Sequence, residues 1–322
     1  MLSGLLRLGG LSLELVGCTR SLERDLTQRL RNSCKICGTS ALQQNRSVPN
    51  FDYTTPVSIN AVQRAEYLDF AKATARAAGA VILPYFRSGA DGLGLENKLQ
   101  QGFDPVTLAD RQAEQVIRQH ITERFPDHGI YGEEFGLHLG NGLTWVIDPI
   151  DGTRAFMSGM LHWGVLLALF DGENPIVGVL YQPYTDELFF GDGLSAGLLR
   201  GDQEKPLITS ATSDLTQTIL CTTGTEWLDA NAVSRYQNLV SHVQLKRIGG
   251  DCYLFALVAM GQMHIGLDGS LNPYDIQALI PIIRGAGGVI TTWDGGNPSM
   301  GGHVVASANP ELHQQVLAKL GR

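Results

Sequence analysis

The stretch Trp145-Val-Ile-Asp-Pro-Ile-Asp-Gly-Thr153 decides the fold, because an apolar run ends there at two carboxylates, Asp148 and Asp151. The apolar residues predict a buried strand, and Pro149 cannot donate to a strand ladder, so we expect the chain to leave the sheet at once. Gly152 permits a turn, and the threonine after it suits the cap of a short helix that faces an anion. Hard divalent cations bind through carboxylates and phosphate oxygens, so the stretch indicates a metal-dependent phosphate site; an ordinary Asp-Pro turn is the alternative.

Two further acidic motifs accompany this stretch. Tyr131-Gly-Glu-Glu-Phe-Gly136 places two glutamates between glycines, and Asn272-Pro-Tyr-Asp275 has the composition of a helix start. Asparagine suits the N-cap, proline the first helical position, and an acid the first turn. The three motifs together predict a carboxylate-rich site.

In this order the three motifs resemble those of the inositol monophosphatase superfamily, which comprises Mg²⁺-dependent, lithium-sensitive phosphatases. The resemblance covers about residues 62 to 320. It implies an α/β fold, a layered α/β/α/β/α sandwich of two lobes with the metal site in the cleft between them. It also implies a homodimer.

The resemblance implies two or three Mg²⁺ ions per site and assigns their ligands. Glu133, Asp148 and the backbone carbonyl of Ile150 are expected to hold the first ion. Asp148, Asp151 and Asp275 are expected to hold the second, so that Asp148 bridges the two.

The resemblance also implies how water and phosphate are held. Asp104 belongs to a segment similar to the Asp-x-Val-Thr of the family, and is expected to pair with Thr153. This pair and Glu133 would orient the attacking water, while the N–H groups of Gly152 and Thr153 would hold phosphate. Glu134 faces the other way on an extended strand and is expected to support the site without binding the metal.

The sequence outside the metal motifs resembles that of the bacterial histidinol-phosphatase branch of the superfamily, particularly at Asp151 to Gly159 and Gly249 to Tyr253. By position, Arg247, Asp251 and Asp268 would line the substrate half of the cleft. Carboxylates there suit a cationic aminol or imidazole better than a neutral polyol. A helix cap for Asp251 and a surface charge for Arg247 are the alternatives.

The predicted reaction is hydrolysis of L-histidinol phosphate to L-histidinol and phosphate, a step of histidine biosynthesis. Inositol-1-monophosphatase or another small-molecule phosphatase of the superfamily is the alternative, and a metal- or phosphate-binding protein without turnover is a further one. Residues 224 to 229, Gly-Thr-Glu-Trp-Leu-Asp, look unusual for the branch, and they lie near the substrate rather than the metals.

The composition of the chain limits the classes of partner that it can bind. The 322 residues are 43% hydrophobic, which suffices for a packed core, and the net charge of -8 gives no basic surface for nucleic acid. No apolar run has the length of a membrane span. The Asp-x-x-Asp spacing excludes the Asp-x-Asp-x-Thr motif of haloacid dehalogenase phosphatases. A small-molecule phosphate monoester is therefore the expected partner.

Three segments are expected along the chain. Residues 1 to 60 hold seven basic against four acidic residues and predict an extension, disordered or targeting-like. Its acids are unusual in a transit peptide, so we expect a cytoplasmic protein, with a plastid or mitochondrion as the alternative. Residues 61 to 203 would form the lobe with most metal ligands, and 204 to 322 the lobe with Asp275 and the substrate contacts. The glycine-rich, charged passage 191 to 206 is the expected boundary.

Overall fold

The computed structural model describes residues 57–89, 94, 96–97 and 105–321. All of them belong to one compact unit. Residues 1–56 of the predicted extension lie outside the described residues, as does Asp104. Val57 and Ile59 pack against the core, and the side chain of Asn60 accepts the Gln63 N–H at 3.0 Å to cap the first helix.

Eight α-helices lie in the described part of the chain. Their bounds are α1 Ala61–Ile82, α2 Leu108–Arg124, α3 Thr153–Met157, α4 Ala230–Val240, α5 Asp251–Ala259, α6 Pro273–Ile276, α7 Leu279–Gly285 and α8 Pro310–Leu320. The apolar pattern predicts a first helix up to Arg87, but α1 gives way to a 3-10 turn at Leu83–Tyr85. Pro84 lies in that turn and has no N–H for a further helical bond.

Fifteen strands are found in the described part of the chain. They are β1 Glu96–Asn97, β2 Pro105–Val106, β3 Gly129–Gly132, β4 Gly136–His138, β5 Thr144–Asp151, β6 Gly164–Phe170, β7 Pro175–Gln182, β8 Glu187–Gly191, β9 Ala196–Arg200, β10 Gln203–Pro206, β11 Ile219–Thr222, β12 Leu245–Ile248, β13 Ile265–Leu271, β14 Val289–Thr292 and β15 Gly302–Ser307. One sheet has the order β10-β9-β8-β7-β6-β5-β3-β4, a second has the order β12-β11-β13-β15-β14, and β1 pairs with β2 alone.

The helices and sheets form five layers around three apolar cores, and the second core encloses the middle layer of helices. The first core lies between α1 and α2 and the eight-stranded sheet, the second between the two sheets around α5 and α7, and the third between the five-stranded sheet and α4 and α8. Successive strand residues face opposite sides, so Leu167 of β6 enters the first core and Leu166 the second. The order α/β/α/β/α confirms the predicted fold class.

The passage 191 to 206 contains two strands. β9 and β10 form an antiparallel hairpin that extends the eight-stranded sheet, and the expected boundary at residues 203 and 204 lies within β10. Every residue of β10 is exposed, which explains why its composition is also typical of a loop. The division into two lobes stays a prediction.

No described helix is both long enough and apolar enough for a membrane span.

His313 provides a test of the third core. Its ring contacts Thr291 Oγ1 at 2.9 Å and Ser307 Oγ at 3.0 Å, and burial lowers its pKa to about 4. The unfolded chain takes up this proton near pH 6.5, so protonation favours unfolding between the two values. We expect the free energy of unfolding to fall as pH drops from 6.5 towards 4, and to fall less in His313→Gln. Urea unfolding across this range measures both slopes, and equal slopes would contradict the expectation.

Candidate active site

β5 carries Asp148 and Asp151 on one face because the strand contains a β-bulge. Asp148 lies opposite Leu166 and Asp151 opposite Gly164, so three steps on β5 match two on β6. In a regular strand, residues three apart face opposite sides; one extra residue brings them to the same side. The expectation that the chain leaves the sheet at Pro149 was wrong, since a bulge accommodates a residue that cannot donate to the ladder.

Three carboxylates meet at the end of β5. Asp148, Asp151 and Asp275 each offer an oxygen within 4.8 Å of the other two. Burial raises the pKa of Asp148 well above its usual range, and neighbouring carboxylates, Glu133 foremost, raise it further. Burial and then the charge of Asp275 do the same to the pKa of Asp151. Such crowding of oxygen donors suits a hard divalent cation, which would offset the repulsion.

Asp275 is positioned by its own helix start. Its carboxylate accepts the backbone N–H of Asn272 at 2.7 Å and the side-chain amide at 3.2 Å. Pro273 is the first residue of α6. The N-cap and first-turn roles expected of Asn272 and Asp275 are therefore confirmed.

The turn after β5 differs in one respect from the expectation. Gly152, with φ 84°, is the N-cap of α3, and Thr153 is the first helical residue. A Cβ at Gly152 would lie 2.6 Å from the His162 carbonyl oxygen, so the position favours glycine on two grounds. The Thr153 hydroxyl donates to the Ile150 carbonyl at 3.1 Å. That carbonyl has a second lone pair for another partner.

Glu133 directly follows β3, and side chains of α2 bind the backbone of the residues after it. Glu114, fully buried, accepts the backbone N–H of Glu134 at 2.7 Å and of Phe135 at 3.2 Å. Arg118 donates to Glu114 at 2.7 Å and to the Gly136 carbonyl. This pair fixes the β3–β4 turn, and with it Glu133, whose charge helps to raise the pKa of Asp148. Sequence patterns did not predict the role of the Glu114–Arg118 pair, since Glu and Arg four residues apart usually lie on an exposed helix face.

A cavity of about 210 Å³ adjoins two of the three clustered carboxylates. Its lining includes Asp151 and Asp275, and also Asp251, Asp268 and Trp227. Two predicted substrate contacts therefore line one cavity with two predicted metal ligands. Arg247 is exposed on β12 and is not among the described residues that line it.

Asp268 lies at a second bulge. It is opposite Val304, while Leu271 is opposite Gly302, so β13 also gains one residue against its neighbour. Asp268 accepts the Thr222 hydroxyl at 3.1 Å and the Thr223 N–H at 3.0 Å. Burial raises its pKa to about 7 despite these bonds.

Asp251 begins α5 with a left-handed backbone, φ 43°, which is uncommon for a residue with a side chain. Its N–H donates to the Thr223 hydroxyl at 3.1 Å. The next N–H, of Cys252, donates to Asp151 Oδ2 at 2.7 Å. This bond joins α5 to the end of β5, and so links the two groups of carboxylates.

Comparison with known proteins identifies the family. A model of the inositol monophosphatase family matches residues 63–322. The chain belongs to this family. The predicted resemblance is therefore confirmed, and the protein is a phosphatase of a metal-dependent family that acts on small phosphate monoesters.

Relatives within the family differ in their named substrates. The chain is 36% identical over 256 residues to a histidinol-phosphatase of Chlorobaculum parvum, covering 79% of this chain and 96% of the relative. It is 33% identical over 298 residues to the bifunctional phosphatase IMPL2, chloroplastic, of Arabidopsis thaliana, covering 89% and 83%. An inositol monophosphatase from Zymomonas mobilis has a similar fold, with a TM-score of 0.71, 29% identity, and coverage of 82% of this chain and 100% of that chain.

The support of Glu133 can be tested through stability. Glu114→Ala would leave Arg118 without its carboxylate partner and two N–H groups without their acceptor, so we expect a loss of about 3 kcal/mol in the free energy of unfolding. Glu123→Ala, on the exposed face of the same helix, should change it by less than about 0.5 kcal/mol. Urea unfolding of the metal-free variants measures this, and equal losses would contradict a supporting role for Glu114.

Proposed function

We propose that the protein is a Mg²⁺-dependent histidinol-phosphate phosphatase. The observation that carries the proposal is that Asp151 and Asp275 share one cavity with Asp251 and with the buried Asp268. One group of carboxylates suits cations that bind phosphate, and the other suits a cationic leaving group. The likeness to the histidinol-phosphatase of Chlorobaculum parvum supports the same substrate.

The metal-binding residues fit the proposal chemically. Glu133, Asp148, Asp151, Asp275 and the Ile150 carbonyl offer only oxygen atoms, as Mg²⁺ prefers. Mg²⁺ bound there supplies Lewis acidity, which polarises a phosphoryl oxygen and lowers the pKa of a water molecule. Asp148, the most deeply buried of the three clustered acids, is the residue that both ions would share.

The remaining residues orient water and phosphate. Glu133, Thr153 and Asp104 hold the attacking water in line with the phosphorus–oxygen bond that breaks. The N–H groups of Gly152 and Thr153 hold phosphoryl oxygens. The Thr153 hydroxyl donates to the Ile150 carbonyl, so its oxygen can accept a hydrogen bond from water.

The choice of leaving group follows from the acids at the other end of the cavity. A neutral polyol would leave Asp251 and Asp268 without cationic partners, whereas the amino group and imidazole of L-histidinol would pair with them. Buried polar groups left unpaired cost about 1 to 3 kcal/mol each. The likeness to the Zymomonas mobilis inositol monophosphatase makes an inositol phosphate the second candidate substrate. The homodimer stays a prediction.

Replacing the shared carboxylate tests the metal. We expect Asp148→Asn to abolish Mg²⁺-dependent phosphate release and to weaken Mg²⁺ binding at least tenfold, because it removes the charge between the two cations. The amide can still accept the Ile150 N–H that Asp148 accepts at 3.1 Å, so the melting temperature of the metal-free variant should not fall. Asp69→Asn, on the exposed face of α1, is the control. Full turnover without a divalent metal would overturn the role of the site.

Substrate choice is tested by comparing specificity constants at fixed Mg²⁺. We expect kcat/KM for L-histidinol phosphate to exceed that for inositol 1-phosphate, fructose 1,6-bisphosphate and adenosine 3',5'-bisphosphate by roughly tenfold to a hundredfold. Asp251→Ala should reduce the preference for L-histidinol phosphate. If inositol 1-phosphate is preferred, or if Asp251→Ala affects both substrates alike, the substrate assignment is wrong.

A further inference from the structure

The unusual segment 224 to 229 forms part of the cavity wall through Trp227. Ser270 Oγ donates to the Trp227 carbonyl at 3.0 Å, from within the bulge of β13. A Cβ at Gly269 would lie 2.2 Å from Leu228 Cδ2, so the side chain of Leu228 packs closely against the backbone of β13. The segment is thus fastened to β13, and the indole of Trp227 has a defined place beside the carboxylates.

A guanidinium lies on this indole. The central carbon of the Arg154 guanidinium is 4.3 Å from the centroid of the Trp227 ring. A planar cation on an indole face is attracted by the negative charge of the ring face. Arg154 is exposed, so the contact is not imposed by tight packing.

The positive charge of Arg154 also acts on the carboxylate of Asp251. Burial raises the pKa of Asp251 to about 6, whereas the charge of Arg154 lowers it. Asp251 and Trp227 both line the cavity. An indole face and a carboxylate therefore act together on one planar cation in the described structure.

We propose that Trp227 and Asp251 form a ring site for the planar, nitrogen-containing ring of the leaving group, and that Arg154 covers this site until substrate binds. This inference rests on the proposed function, because imidazole is the ring that L-histidinol phosphate carries. Imidazolium and guanidinium are both planar, delocalised cations with N–H donors in the plane. A surface that holds one therefore suits the other.

The same cavity brings the two ends of a substrate within reach. Asp275, of the carboxylate cluster, and Trp227 are both part of its lining. A substrate with its phosphate at the cluster would extend its leaving group along the cavity towards the indole. The ligand class is accordingly a phosphate monoester of an alcohol that carries a protonatable heteroaromatic ring.

The ring site predicts opposite effects for its two outer members. Trp227→Leu should raise KM for L-histidinol phosphate roughly tenfold with kcat within about twofold, because the aromatic face is lost while an apolar side chain remains. Arg154→Ala should lower the same KM about threefold, since no side chain must leave the indole first. KM for inositol 1-phosphate, whose leaving group has no aromatic ring, should stay within about twofold in both variants.

Two further variants serve as controls. Trp227→Phe keeps an aromatic face and should restore most of the affinity that Trp227→Leu loses. Arg124→Ala removes another arginine that lies over an aromatic ring, 4.9 Å from the Phe125 centroid, but Arg124 is not among the described residues that line the cavity. It should leave KM for both substrates unchanged.

Calorimetric titration of L-histidinol into the Mg²⁺-loaded protein separates the ring site from the proposed function. If the wild type binds L-histidinol, and Trp227→Leu weakens this binding, the ring site stands even where another phosphate ester is the better substrate; only the proposed function then fails. If L-histidinol phosphate is the better substrate but Trp227→Leu raises KM for both esters alike, the ring site is overturned and the proposed function stands. A rise in both KM values in Arg154→Ala would also overturn it, because Arg154 would then bind phosphate.

Discussion

Repulsion among carboxylates is the constraint on which the site depends. Asp148, Asp151 and Asp275 lie within 4.8 Å of one another, and burial strengthens their repulsion. The chain counters it with hydrogen-bond donors fixed by the backbone, such as the Cys252 N–H on Asp151 and the Asn272 N–H on Asp275. The scaffold therefore holds the acids close together before any cation arrives, which is the preorganisation that binding and catalysis need.

The layered fold supplies that scaffold. The bulged end of β5 has its Ile150 side chain in the first core, while Asp148 lies on the face that adjoins the second. Helices α5 and α6 approach this face from the second sheet, and they bring Asp251 and Asp275 with them. Neither sheet contains the whole site, so the packing of the second core sets its geometry.

Sequence patterns predict the candidate site where its residues are close in the chain. The motifs around Asp148 and Asp275 are local, and taken together they predict a carboxylate-rich site. Pro149 predicts the end of a strand, but β5 continues past it to Asp151, and one residue does not reveal whether the neighbouring strand continues alongside. Glu114 was missed because its burial depends on a β-turn twenty residues later. The exposed strand β10 has a composition shared by loops, so pairing with β9 distinguishes the two.

Two β-bulges lie at acids of the site, one in β5 and one in β13. β5 gains one residue between Asp148 and Asp151, and β13 gains one between Asp268 and Leu271. In a strand without the bulge, the same three-residue spacing would place Asp148 and Asp151 on opposite faces of the sheet. Such a strand would keep both acidic side chains in its sequence and still lose the cluster. The cluster therefore depends on the register of β5 against β6 as much as on the identity of its acids.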